Sequence, residues 1–152
     1  MLAMLSLCIL CSAVFVAALP QKLSVRQALQ PFELQSVTSY LLSQQYTIEF
    51  NFTDPNTGNR AICQTAWAEN TAAPSYALGC SDSTFGFKLD PFVGVNNFTL
   101  DLYHWANSLA GSAYLYGSVP WEPPSGPLSC VVPQAGEGVC SAKSVSVSVS
   151  VM

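Results

Sequence analysis

The chain has 152 residues, half of them hydrophobic, only 9% charged, and a formal net charge of −4; its length suits one domain rather than two. Five Lys and Arg scattered along it make no basic footprint, which argues against nucleic acid and against an anionic membrane surface as partners. Soluble domains usually carry about 25% charged residues, so the polar cover here must come from Ser, Thr, Asn and Gln, helped by attached sugar.

The chain opens with MLAMLSLCILCSAVFVAA, residues 1–18, an uncharged apolar run ending in the small residues Ala17 and Ala18. It reads as a secretory signal peptide cut near Ala18, although no Lys or Arg precedes the apolar stretch. The run reaches only Leu19, at the short end of the roughly 17–25 residues that a membrane span needs. The expected product is extracellular, with no membrane attachment after cleavage. Cys8 and Cys11 leave with the signal, and Cys63, Cys80, Cys130 and Cys140 remain. An even count in a secreted chain points to two disulfides, with three pairings open. The simplest is local, Cys63 with Cys80 and Cys130 with Cys140, each closing a short loop. The spacings match no zinc knuckle and His104 is the sole histidine, so no metal or other cofactor is expected.

One β domain is expected over residues 19–142. Gln21 to Gln30 is a polar lead-in with room for a helical turn near Val25 to Leu29, stopped by Pro31. Phe32 to Tyr40 is β-compatible but weakly patterned. Tyr46, Ile48, Phe50 and Phe52 share one parity while Thr47, Glu49, Asn51 and Thr53 share the other, the mark of a half-buried strand. Asp54 to Asn59, with its Pro and Gly, is a turn. Ala61 to Trp67 returns as the partner strand of a hairpin, and Trp67, on the parity of Cys63, is expected in the core. Ala68 to Gly79 reads as a loop.

Phe85, Phe87 and Leu89 alternate next, and Asp90-Pro91 is expected to turn the chain. Phe98, Leu100 and Leu102 mark another strand, and Ala113 to Tyr116 a shorter one. Val119 to Pro127, VPWEPPSGP, is expected as a surface excursion because prolines lack the donors of a sheet centre. Leu128 to Val132 and Val139 to Ala142 suit a last hairpin. The Ser/Val tail, 143–152, alternates perfectly but is expected as a loosely held, low-complexity end. No apolar stripe of helical period appears after residue 18. The fold class expected is all-β, an antiparallel β-sandwich or β-barrel stapled by two disulfides.

Two tripeptides, Asn51-Phe52-Thr53 and Asn97-Phe98-Thr99, are N-glycosylation acceptors. Both Asn residues fall on the polar parity of their strands and both Phe residues on the apolar one, so a glycan at Asn51 or Asn97 would project into water. Trp121, held among prolines, and Trp105, at a strand end, are candidate ligand-binding aromatics. His104 is read as a packing or surface residue. Lys88 and Asp101 are expected to face each other on neighbouring strands. No P-loop, nucleophile elbow or HExxH pattern occurs. Nine carboxylates, read as solvated surface groups, leave a small glycoside hydrolase as the weaker alternative.

The order YTIEFNFTDPNTG, the Cys63–Trp67 strand, GCSDSTFGFKL, NNFTLDLYH and a late cysteine pair resembles the small secreted cysteine-stapled proteins of ascomycete fungi, of the Alternaria major allergen-like type. The resemblance implies an antiparallel β-barrel or sandwich with intrachain disulfides Cys63–Cys80 and Cys130–Cys140. It also implies an extracellular protein that acts as an effector or elicitor through surface recognition, without catalysis. The allergen type links two subunits through an early cysteine that is absent here, so no covalent dimer is expected. The function expected is non-enzymatic recognition of a host protein or cell-wall component; the alternative is a cell-wall glycan-binding module using Trp121 and Trp105.

Overall fold

The structure, a computed structural model, describes residues 28–118, 125–131 and 138–152. The signal run, Trp121, Glu122 and Glu137 lie outside them. Ten strands follow in chain order: β1 (Phe32–Leu42), β2 (Gln45–Asp54), β3 (Asn59–Ala68), β4 (Leu78–Gly79), β5 (Phe85–Gly94), β6 (Asn97–His104), β7 (Leu109–Ser118), β8 (Leu128–Val131), β9 (Gly138–Val147) and β10 (Val149–Val151). A single 3-10 turn, Trp105–Asn107, separates β6 from β7, and there is no α-helix among the described residues. The all-β expectation holds.

The strands form one sheet in the order β3-β2-β1-β9-β8-β7-β6-β5-β4, with β10 on β7. Its pairings are antiparallel except for a short parallel contact of β7 with β8 at Gly117 and Ser118. The sheet rolls into a nearly closed barrel. Its open seam lies between β3 and the β4–β5 end, and there the Cys63–Cys80 disulfide crosses it with a Cα–Cα distance of 4.3 Å. Two hydrogen bonds continue the seam: Ser81 N–H donates to the Ile62 carbonyl, and Ile62 N–H donates to Ser81 Oγ, each at 2.8 Å. The second disulfide, Cys130–Cys140, joins two residues directly opposite each other on β8 and β9. Both bridges are the local pairs.

Every second side chain fills the barrel. Phe50 and Phe52 of β2 meet Phe87 and Phe85 of β5 edge-to-face at 5.1 and 4.8 Å. Phe32 joins Phe52 at 4.9 Å. At the end where β2 begins, Trp67 and Tyr46 pack on Phe92 at 4.8 and 5.1 Å. The result is an aromatic column along the barrel axis; each buried ring is worth about 1.5–3 kcal/mol by transfer, and each edge-to-face pair about 0.5–1.5 kcal/mol more. Trp67 is in the core, as its parity implied.

Local expectations differ from the structure at several points: Leu78–Gly79, expected in a loop, forms β4, and the short strand expected at Ala113 to Tyr116 is the longer β7. Phe32 to Tyr40 looked weakly patterned because β1 carries a bulge: Ser36 takes a positive φ of 53°, and the inward set jumps from Phe32 and Leu34 to Val37 and Ser39. Asp90-Pro91 does not reverse the chain; β5 runs on through irregular register to Gly94, and the turn to β6 falls at Val95 and Asn96. The Ser/Val tail is not loose. Its first half is the end of β9, paired with β1 from Phe32 to Gln35, and Val147 is buried. Its second half is β10, which crosses to β7 and pairs Val149 with Gly111 and Val151 with Leu109. Alternating Val is what a strand with one buried face requires, so the tail straps the two halves of the barrel together.

Candidate functional site

The two ends of the barrel are tied by polar side chains from inward positions. At one end, buried Ser39 of β1 donates its hydroxyl to the Val95 carbonyl in the β5–β6 turn. At the other, Asp54 and His104 meet, both fully buried. Asp54 follows Phe52 on the inward parity of β2, and His104 follows Phe98, Leu100 and Leu102 on the inward parity of β6. Strand period alone therefore drives a carboxylate and an imidazole into the same end of the core.

His104 Nδ1 lies 2.7 Å from Asp54 Oδ2. An ionised carboxylate only accepts, so Nδ1 carries the proton and donates. Asp54 also accepts from Asn56 N–H at 2.8 Å, from Asn56 Nδ2 at 2.7 Å and from Asn107 Nδ2 at 3.2 Å. Burial pushes the Asp54 carboxyl up, but the hydrogen bonds from His104 and Asn56, with the attraction of His104, together outweigh it and hold the group below its ordinary value. The imidazole stacks on Phe85 at 4.1 Å and 9°. Its Nε2 is buried and has no hydrogen-bond partner among the described residues.

An Asp–His pair of this orientation is the supporting half of a nucleophilic triad, in which Nε2 faces a hydroxyl or thiol. Here Nε2 has neither as a hydrogen-bond partner among the described residues, and all four domain cysteines are in disulfides. The geometry is that of a clamp joining the β2–β3 turn to the β6–β7 turn. The expectation that carboxylates sit in solvent thus fails at Asp54, because the last inward position of β2 falls on it.

The outer surface is different. On β5–β7, Tyr103, Trp105, Tyr114 and Tyr116 point outward, with Trp105, Tyr114 and Tyr116 exposed by 42, 56 and 40%. Trp105 opens the 3-10 turn, anchored by its N–H donating to the Thr84 carbonyl at 2.8 Å. Its indole lies over Gly86, where a Cβ would fall 2.7 Å from Trp105 Cζ2. It runs parallel to Tyr103 at 6° and 6.2 Å between centroids. Gly86 sits directly opposite Tyr103 in the ladder. The absence of a side chain at Gly86 leaves room for the Trp105 indole. Tyr114 and Tyr116 form a second stack at 5.1 Å, and Tyr116 is backed by Gly126, whose φ of 76° brings its backbone onto the ring.

Of the aromatics predicted to bind, Trp105 is exposed and platform-like, and Trp121 lies outside the described residues. Asn51 is exposed and Asn97 half-buried, both on the outer face, with Phe52 and Phe98 fully buried behind them. Lys88 does face Asp101 across β5–β6, but it forms its ion pair with Asp90, whose hydrogen bond raises the lysine pKa. Tyr103, Tyr114 and Tyr116 escaped the sequence reading, although their outward parity on β6 and β7 marks them. Three surface grooves are lined by at most one carboxylate each: none beside Asn51, Glu69 in a second, Asp101 in a third. No cluster of metal-ligating side chains occurs among the described residues. No family model, no curated protein and no solved structure matches the chain.

Proposed function

We propose that the protein is a secreted, non-enzymatic recognition domain that binds through the outer face of β5–β7. One observation carries the reading: Tyr103 at the end of β6 and Trp105 in the turn that follows present parallel rings, with the indole seated over Gly86. Tyr and Trp are the residues that most often dominate binding surfaces, because large rings bring contact area at small entropic cost. Two disulfides in one small domain suit an oxidising, extracellular compartment. The resemblance to allergen-like secreted fungal proteins supports the same compartment and a host protein as the partner.

A glycan-binding function is the second reading. Flat aromatic platforms match the apolar faces of sugar rings, and Asp101 and Ser112 border Tyr103 as hydrogen-bonding partners for hydroxyls. The test that separates the two is retention of the purified protein on insoluble chitin, on β-glucan, and on immobilised apoplastic proteins of a plant host. Trp105→Ala should lower retention on the true partner by about tenfold or more. Gly86→Ala, which lifts the indole without removing it, should reproduce most of that loss. Equal retention of wild type and both variants on all three supports removes the proposal.

A further inference from the structure

Both sequon asparagines stand directly across the ladder from an exposed apolar side chain. Asn97 of β6 is opposite Tyr116 of β7, and Thr99 of the same sequon is opposite Tyr114. Asn51 of β2 is opposite Ile62 of β3, which is 62% exposed. Directly opposed residues share a face, with Cβ atoms about 4.5–5.5 Å apart. A group built outward from either Asn therefore starts beside that apolar surface. Neither Asn51 nor Asn97 donates its side-chain amide to a protein acceptor among the described residues, whereas Asn56, Asn96 and Asn107 are all tied in this way.

The surroundings form beds. Tyr116 stacks on Tyr114, and the Gly126 backbone lies close to the Cδ2–Cε2 side of its ring, while the residue stays 40% exposed. Beside Asn51 runs a groove of about 440 Å³ bounded by Gln35, Thr53, Arg60, Ile62 and Ser81. Its walls offer amide, hydroxyl and guanidinium groups around the apolar side chains of Ala61 and Ile62, the mixture that a sugar ring presents in return.

We infer that Asn97 and Asn51 carry N-linked glycans whose first N-acetylglucosamine packs on Tyr116 and Ile62 respectively, so that the sugar completes the outer face of the fold. The inference rests on the secreted reading above. Transfer from a lipid diphosphate-linked oligosaccharide forms the bond from Asn Nδ2 to sugar C1, breaks the bond from C1 to the diphosphate, and releases one amide proton. The sugar ring then lies against the exposed part of Tyr116 instead of extending free into water.

The test uses the chain expressed through the secretory pathway of a eukaryotic host, as wild type, Asn97→Gln, Tyr116→Ser and the double variant. Intact mass before and after N-glycosidase reads occupancy, and the thermal midpoint reads packing. With Tyr116 present, Asn97→Gln should lower the midpoint by about 2–4 °C, the shift expected for loss of one aromatic contact in a domain of this size. With Tyr116→Ser, the same change should move it by less than about 1 °C, and Tyr116→Phe, which keeps the ring, should restore the larger shift. Secretion with bare Asn97, or equal midpoint shifts in both backgrounds, overturns this inference alone. A chain that stays in the cell without sugar overturns the secreted reading as well.

Discussion

Removing the Asp54 carboxylate should be among the most damaging single changes in the domain. Asp54→Ala deletes the acceptor of four hydrogen bonds. Asn56 and Asn107 are exposed and can turn to water, so their loss is small. His104 cannot. It is fully buried, its Nε2 already lacks a partner, and Nδ1 would join it. A stranded buried donor costs about 1–3 kcal/mol. The expected loss is therefore about 1–3 kcal/mol out of a total stability of about 5–15 kcal/mol.

Urea unfolding of Asp54→Ala, His104→Leu and the double variant measures it. Since His104→Leu removes the stranded ring, the double variant should recover at least about 1.5 kcal/mol relative to the sum of the singles. The pH dependence has a definite sign. The Asp54 carboxyl is held below its ordinary value in the folded state, so the unfolded chain takes up the proton first. The Asp54 contribution is fully present above the unfolded carboxylate value of about 3.9 and is lost as pH falls through the folded value. The gap between wild type and Asp54→Ala should thus be full at pH 5–7 and shrink below about pH 4. A loss under about 1 kcal/mol at pH 6, or a gap that widens on acidification, would refute the clamp.

Two further changes probe how the barrel is held shut. Replacing Cys63 and Cys80 together by Ser frees the β3 seam and should cost about 2–5 kcal/mol in urea, while thiol titration of the wild type should find no free cysteine in the domain. Gly111→Ala sets a methyl 2.6 Å from the Ser148 carbonyl, where β9 passes into β10. Backbone must give way, so a loss of about 1–3 kcal/mol is expected, with faster amide exchange at Val149 to Val151; an unchanged midpoint would mean that the strap carries no stability.

Much of this architecture is legible in the sequence because a sheet with one buried face repeats every two residues. Phe50 and Phe52, Phe85 and Phe87, and Leu100 and Leu102 announce their strands in that way, and the local cysteine pairs are the simplest of the three pairings the sequence leaves open. What was lost sits where the period breaks or runs past its expected end. The bulge at Ser36 shifts the parity of β1 by one residue and blurs its pattern. Asp54 resembled the first residue of a Pro-Gly turn, and His104 the last of a strand; extending each apolar parity by one step would have placed both inside. The Ser/Val tail alternates like a strand but reads as a loose end because its partners, β1 and β7, lie about 110 and 40 residues away in the chain and only the rolled sheet brings them alongside. The same parity that hides Asp54 and His104 exposes Tyr103, Tyr114 and Tyr116.

The outer face of β6 and β7 then divides by distance. Asn97 and Tyr103 are six residues apart on one strand, about 20 Å at 3.3 Å per residue. A sugar bedded on Tyr116 and Tyr114 occupies the end near Asn97 and leaves Tyr103 and Trp105 open at the other. The aromatic end that stays uncovered is also the end anchored from inside by Asp54 and His104, since Trp105 directly follows His104 in the chain. Loosening the clamp should therefore blunt recognition as well as stability. In a variant such as Asp54→Asn, which keeps an acceptor for His104 but weakens the bond, binding through Trp105 should fall at pH 6 while the thermal midpoint moves only modestly. Undiminished binding by a stably folded Asp54→Asn would separate the two ends of the same strand and leave the platform supported by Gly86 alone.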